Sequence, residues 1–153
     1  RLRLCDIGAN ILDEMFAGEY HGKQQHPSDT SLVLERARSM GVHSMIFTGS
    51  SVAESRKTLA FCNDYDNVFA TVGVHPCSAE DFSKRGADVV IAELKETIDR
   101  GLAGGKIAAL GEFGLDYDRL QYCEKETQLL GFERQLELAA QYDLPLFLHN
   151  RNT

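Results

Sequence analysis

The 153-residue sequence predicts an α/β fold built on a parallel sheet. Three observations carry that expectation. Short apolar runs rich in strand-forming residues alternate with helical patterns along the chain. Each helical pattern lies between two such runs, as a crossover between parallel strands requires. Polar, chemistry-bearing residues gather where the runs end, the side on which parallel sheets carry their sites.

The elements follow in order. Arg3–Ile7 is the first apolar run. The stretch from Ile11 to Thr30 is long for a βα connection, and its Gly, His, Gln and Pro content predicts an active-site loop. Leu32–Met40 has helical spacing and stops at Gly41. His43–Thr48 is the second strand. Ser51-Val52-Ala53-Glu54 reads as a capping box opening a helix to about Cys62. The third strand is Val68–Val74, followed by a helix from about Ala87 to Arg100 that ends at Gly101. The glycine-rich stretch from Gly101 to Gly105 returns the chain to a fourth strand, Lys106–Leu110. In the fourth helix Leu129, Phe132, Leu136 and Ala139 recur at three- and four-residue steps. Pro145–His149 is the fifth strand. This order fits an open doubly wound sheet or part of a (β/α)8 barrel. No GxGxxG follows the first strand; Gly8 stands alone in Asp6-Ile7-Gly8-Ala9-Asn10, which disfavours dinucleotide binding.

Hydrophobic residues make up 43% and charged residues 25%, ordinary usage for one globular domain with a real core. No run reaches the roughly 18 apolar residues of a membrane span. No signal-peptide pattern opens the chain, which begins with Arg1 rather than Met. A net charge of −7 lacks the basic footprint of a passive nucleic-acid-binding module. It leaves a nuclease open, because a metal ion can supply local positive charge. Cys5, Cys62, Cys77 and Cys123 are widely spaced with no CxxC, as expected of free thiols in a reducing cytoplasmic or nuclear compartment.

At the strand ends stand Asp6 and Asn10, then His75 in Gly73-Val74-His75-Pro76. Glu112 follows in Gly111-Glu112-Phe113-Gly114-Leu115-Asp116, and His149 with Arg151 closes the series. Singly, each has an ordinary explanation. His75 can shape a turn before Pro76, Glu112 can cap a helix, and His149 can hydrogen-bond at a sheet rim. Asp116 and Asp118 read as solvated loop acids, and the arginines as partners of surface acids. Together, two His and one Glu on one face make a donor set for Zn²⁺, Mn²⁺ or a similar ion. A carboxylate can bridge two ions, and two ions can clamp the attacking and leaving oxygens of a phosphodiester. Arg119 and Arg151 can hold phosphate oxygens through paired hydrogen bonds.

Four stretches, Asp6-Ile7-Gly8-Ala9-Asn10, Thr71-Val72-Gly73-Val74-His75-Pro76, Gly111-Glu112-Phe113-Gly114-Leu115-Asp116-Tyr117 and Leu148-His149-Asn150-Arg151-Asn152, resemble the TatD family of metal-dependent deoxyribonucleases, its eukaryotic members in particular. They keep the family's order and spacing. The resemblance implies a TIM (β/α)8 barrel whose metal-activated water hydrolyses DNA phosphodiesters, in the manner of a 3′ exonuclease acting on single strands or 3′ ends. It implies Glu112 and His149 as metal ligands, with Glu112 bridging a pair of divalent ions (Mg, Mn or Zn). His75 and Glu112 would be catalytic, and Asn10, His75 and Arg151 would contact the substrate.

The sequence departs from the family pattern in places. The His-x-His that many relatives carry after strand one is Gly8 and Asn10, a form found in one subgroup that weakens a metal position. Asn150 stands where cysteine is common. About five of eight strands are expected, and barrels of this type run to ~250 residues. Residues 1–153 therefore read as the N-terminal part of a single barrel domain, expected to be inactive alone. Two other readings remain open: a metallohydrolase acting on a small amide or ester, against which the missing His-x-His counts, and a non-catalytic incomplete scaffold.

Overall fold

In a computed structural model, which describes residues 2–153, five parallel strands lie side by side in chain order. They are β1 (Leu4–Ala9), β4 (Val42–Phe47), β5 (Val68–Val72), β6 (Ile107–Asp116) and β7 (Leu146–Arg151). β2 (Glu19–Tyr20) and β3 (Lys23–Gln24) form a separate hairpin. Helices α1 (Thr30–Ser39), α2 (Val52–Asn63), α3 (Ala87–Ala103) and α4 (Lys125–Ala139) make the crossovers. Each strand is added on the same side of the one before it. A doubly wound sheet reverses direction at a switch point, and this sheet does not. It is an arc of a (β/α) barrel.

The middle of the arc is buried and its edges are open. On α3, Val90, Leu94, Ile98 and Gly101 recur at helical spacing and all face inward. Val90, Leu94 and Ile98 pack with Val72, Phe82, Phe113 and Leu138 into one core cluster. Full burial of a side chain such as Leu94 or Ile98 stabilises the fold by roughly 1.5–3 kcal/mol. A second cluster joins Leu34, Met45, Phe47 and Val68 beneath α1 and α2. Among the described residues β1 pairs only with β4, and β7 only with β6. Leu4 and Ile7 on β1, and Leu146 and Leu148 on β7, are exposed. No helix among the described residues is long and apolar enough to cross a membrane.

Four local expectations are revised. The stretch from Ile11 to Thr30 is not simply a loop. It holds a 3₁₀ turn, Glu14–Ala17, and the β2–β3 hairpin. The hairpin turns through His21 and Gly22 at φ +51° and +71°, the positive pair that a type I′ turn demands. The capping box forms by half: Ser51 Oγ accepts the Glu54 N–H at 3.2 Å, but the Glu54 carboxylate takes the Ser50 hydroxyl instead. The fourth strand does not end near Leu110. It continues to Asp116, paired with β7, so Glu112 lies within the strand rather than after it. The buried stripe of α4 includes Gln128, Gly131, Gln135 and Leu138, while Leu136 is 37% exposed. Unpaired backbone at the strand ends, which draws Gln128 and Gln135 inward, accounts for that rotation.

Candidate metal centre

β6 and β7 pair as Gly111↔Phe147 and then Phe113↔Leu148, so the ladder skips Glu112. Glu112 is thus a bulged residue, and a bulge re-aims its side chain. Its N–H turns away from β7 and donates to the Gly49 carbonyl at 3.0 Å. Glu112, Gly114 and Asp116 alternate onto one face of the strand. Opposite Gly114, in register, stands His149. Gly114 has φ +152°, and a Cβ there would fall on the His149 carbonyl, so only glycine lets β7 approach this closely. The imidazole sits between the two carboxylates. His149 Nδ1 lies 2.7 Å from Glu112 Oε1, and Nε2 lies 3.1 Å from Asp116 Oδ2.

Asp116 is not a solvated loop acid: it is 2% exposed. Its Oδ1 accepts the Asp118 N–H at 3.1 Å. Its backbone is held from α4, where Gln128 Oε1 accepts the Asp116 N–H at 2.8 Å and Gln128 Nε2 donates to the Asp116 carbonyl at 3.0 Å. Two helical turns further on, Gln135 does the same for Val74, accepting its N–H at 2.7 Å and donating to its carbonyl at 3.0 Å. Val74 immediately precedes His75. On the other flank, Ser55 Oγ bonds both the N–H and the carbonyl of Gly73, and Thr71 Oγ1 accepts the Gly49 N–H. Buried backbone groups beyond the end of a ladder need such partners. The sequence reading misplaces Asp116 as a loop acid and misses Gln128 and Gln135. The signals for them are the Glu112-x-Gly114-x-Asp116 alternation and two glutamines two turns apart on a helix.

His75 Nε2 lies 3.1 Å from His149 Nδ1 and 3.8 Å from Glu112 Oε1. The three facing atoms form a tight group. The circle through them has a radius of about 1.9 Å, so distance alone would let one ion with bonds of roughly 2.0–2.2 Å touch all three. The far side of His75 decides otherwise. The Cys77 N–H donates to His75 Nδ1 at 3.1 Å, which places the proton of the neutral ring on Nε2. Burial pushes the His75 imidazole below its ordinary range, against the pull of Glu112, and so favours that neutral ring. His75 therefore presents an N–H donor, not a lone pair.

Glu112 and His149 keep theirs. With the His149 Nε2–H given to buried Asp116, the Nδ1 lone pair faces a carboxylate oxygen at 2.7 Å. Two lone pairs that close are bridged either by a proton or by a cation. A carboxylate and an imidazole oriented by a second carboxylate fit a divalent cation. The sequence placed His75, Glu112 and His149 on one face, and the structure brings them together.

Asn10 is exposed at the end of β1 and lines the same cavity as His75 and Glu112. Arg151 stays outside the group. Its Nε donates to Asp118 Oδ2 at 3.1 Å, and its NH1 is 3.9 Å from Asp116 Oδ2. The Arg119 guanidinium lies 5.9 Å from the centre of the Tyr122 ring.

Residues 6–153 match the family described as TatD related DNase. A protein of Schizosaccharomyces pombe named Deoxyribonuclease Tat-D is 44% identical over 99% of this chain and 49% of its own length. One from Cronobacter sakazakii, named 3′-5′ ssDNA/RNA exonuclease TatD, is 38% identical over 97% of this chain and 49% of its own. Among solved structures, a hydrolase TatD family protein from Entamoeba histolytica superposes with a TM-score of 0.89 at 35% identity, covering 98% of this chain and 50% of that one. A Saccharomyces cerevisiae structure described as an uncharacterized amidohydrolase gives 0.82 at 36% identity, covering 99% and 49%. The chain spans about half the length of the curated relatives it matches. Matched from Asp6 to its last residue, the chain belongs to the TatD-related DNase family.

Proposed function

We propose that this chain contributes a metal-dependent phosphodiesterase site acting on single-stranded nucleic acid, at 3′ ends. The observation that supports this most is the bracketing of His149 by Glu112 and Asp116 beside the donor N–H of His75. Glu112 and His149 are the metal-holding pair. Mg, Mn or Zn suits an oxygen-and-imidazole set of this kind. When bound, a divalent cation supplies an activated water and offsets the charge that builds on the phosphate. The protein's own groups do the rest. Asp116 fixes the orientation of the His149 ring. His75 directs its Nε2–H at a phosphate oxygen and is neutral when it does so. Asn10, across the cavity, contacts the substrate strand, and Arg151 exchanges its bond to Asp118 for a phosphate oxygen. Relatives named as DNases and as ssDNA/RNA exonucleases support nucleic acid as the substrate.

Glu112→Gln keeps the shape and removes the charge. In the full-length gene product it should lower metal-dependent release of nucleotides from single-stranded DNA by at least about 100-fold. Release at the unaltered rate would overturn the assignment. A second reading, hydrolysis of small amides, draws on the relative described as an amidohydrolase. Parallel assays of single-stranded DNA against amide and ester substrates separate the two.

A further inference from the structure

A cavity of about 380 Å³ opens beside the metal centre, between the ends of β1 and β4 and the first turns of α2. It falls within the roughly 300–1,000 Å³ range of small-ligand pockets. His75 and Glu112 line it. Ile11 and Phe47, 6% and 2% exposed, close its apolar floor with Leu12. Asn10, Thr48 and Ser50 add hydrogen-bonding groups. Three carboxylates line it: Asp13, Glu54 and Glu112. Their charge repels phosphate from the interior, whereas a neutral, flat ring with polar edges is compatible with such walls. Lys57 is the one cation of the lining. Asp13 caps the Met15 N–H, and Glu54 takes the Ser50 hydroxyl. Lys57 has no hydrogen bond or ion pair among the described residues, although Arg56 beside it pairs with Glu93 and Glu96.

We propose that this cavity receives one nucleoside unit of a single strand, with Lys57 holding the phosphate that flanks the one at the metal centre. The proposal rests on the nuclease reading above and adds a subsite to it. A base already paired in a duplex would have to leave its stack to enter, so the cavity selects for single strands. The acidic protein thus needs no basic patch; one lysine and the metal centre meet the two phosphates, and the cavity takes the neutral ring between them.

The test is anisotropy of a labelled oligothymidylate, and of the same strand in duplex, titrated with the full-length gene product in Ca²⁺. Lys57→Gln should weaken single-strand binding about tenfold and lower the salt slope by about 1. Leu12→Trp, which fills the cavity, should weaken it at least tenfold while Lys23→Gln on the hairpin leaves it unchanged. Melting temperatures check that each variant is folded. If Lys57→Gln and Leu12→Trp bind as the unaltered protein does, the subsite is overturned, and hydrolysis of the strand in Mg²⁺ or Mn²⁺ leaves the nuclease reading standing. If both variants weaken binding but the unaltered protein hydrolyses nothing, the subsite stands and the nuclease reading falls. Absence of binding by the unaltered protein overturns both.

Discussion

On the β6–β7 side of the strand-end face, each polar group is held by another. Glu112 and Asp116 grip His149, Gln128 grips the Asp116 backbone, and Gln135 grips the residue before His75. On the β1 side the same face is loose. Among the described residues the Asp6 side chain bonds only the Gly8 N–H two residues on, at 3.1 Å, and the Asn10 side chain has no partner. Both strands end in polar residues, so the contrast is not one of composition. β6 is backed by α4 and flanked on both sides, while β1 has one neighbour among the described residues, which span about half the length of the relatives. Donors for a metal need fixed geometry before the ion arrives.

The largest expected effect comes from breaking the fixed side at its narrowest point. Gly114→Val forces a branched side chain into φ +152° and onto the His149 carbonyl. It should destabilise the fold by on the order of 3–5 kcal/mol, from backbone strain plus overpacking. Gly22→Ala, where a Cβ meets nothing within 4 Å, should cost only about 1 kcal/mol for its positive φ. Equal losses in urea melts of the two variants would show that β6 and β7 are not locked together.

A smaller effect should follow from Asp116→Asn. The neutral amide is a weaker acceptor for the His149 Nε2–H, and the affinity for Mn²⁺ or Zn²⁺ in calorimetric titration should fall about 10- to 100-fold. The matching change on the loose side, Asp6→Asn, should leave that affinity within about twofold. An Asp116→Asn variant with unchanged affinity would sink the orienting role.

The smallest effect is a matter of access. Burial pushes the Cys123 thiol up to about 11, and it is 2% exposed, whereas Cys5 on β1 is exposed. In residues 1–153 alone, iodoacetamide at pH 8 should label Cys5 within minutes and Cys123 only after unfolding, because the thiolate is the reactive form. Peptide mass mapping reads the order, and equal labelling would remove the contrast between the two sides.

Much of this was legible in the sequence, for a physical reason. Apolar runs place the five strands, and His75, Glu112 and His149 announce themselves by following such runs. Asp116 did not, because the fourth strand reads as ending at Leu110. The apolar run stops there, but the hydrogen-bonded ladder with β7 continues through polar and glycine residues. Gln128 and Gln135 were illegible for a different reason. Glutamine on a helix ordinarily faces water, and only the unpaired backbone at neighbouring strand ends draws these two inward. The leucine spacing on α4 then points about one position away from the true buried stripe, leaving Leu136 outside.

The two glutamines also couple events that look separate. Val74 and Gln135 are 61 positions apart in the chain, and Asp116 and Gln128 are 12 apart, yet one helix serves both. When α4 lifts from the sheet, the amides of Val74 and Asp116 lose their acceptors in the same moment. Their exchange with deuterated water should therefore proceed at one shared rate, set by the opening of α4. The helix α4 acts as a latch, and the arm of His75 and the arm of Asp116 swing free together or not at all.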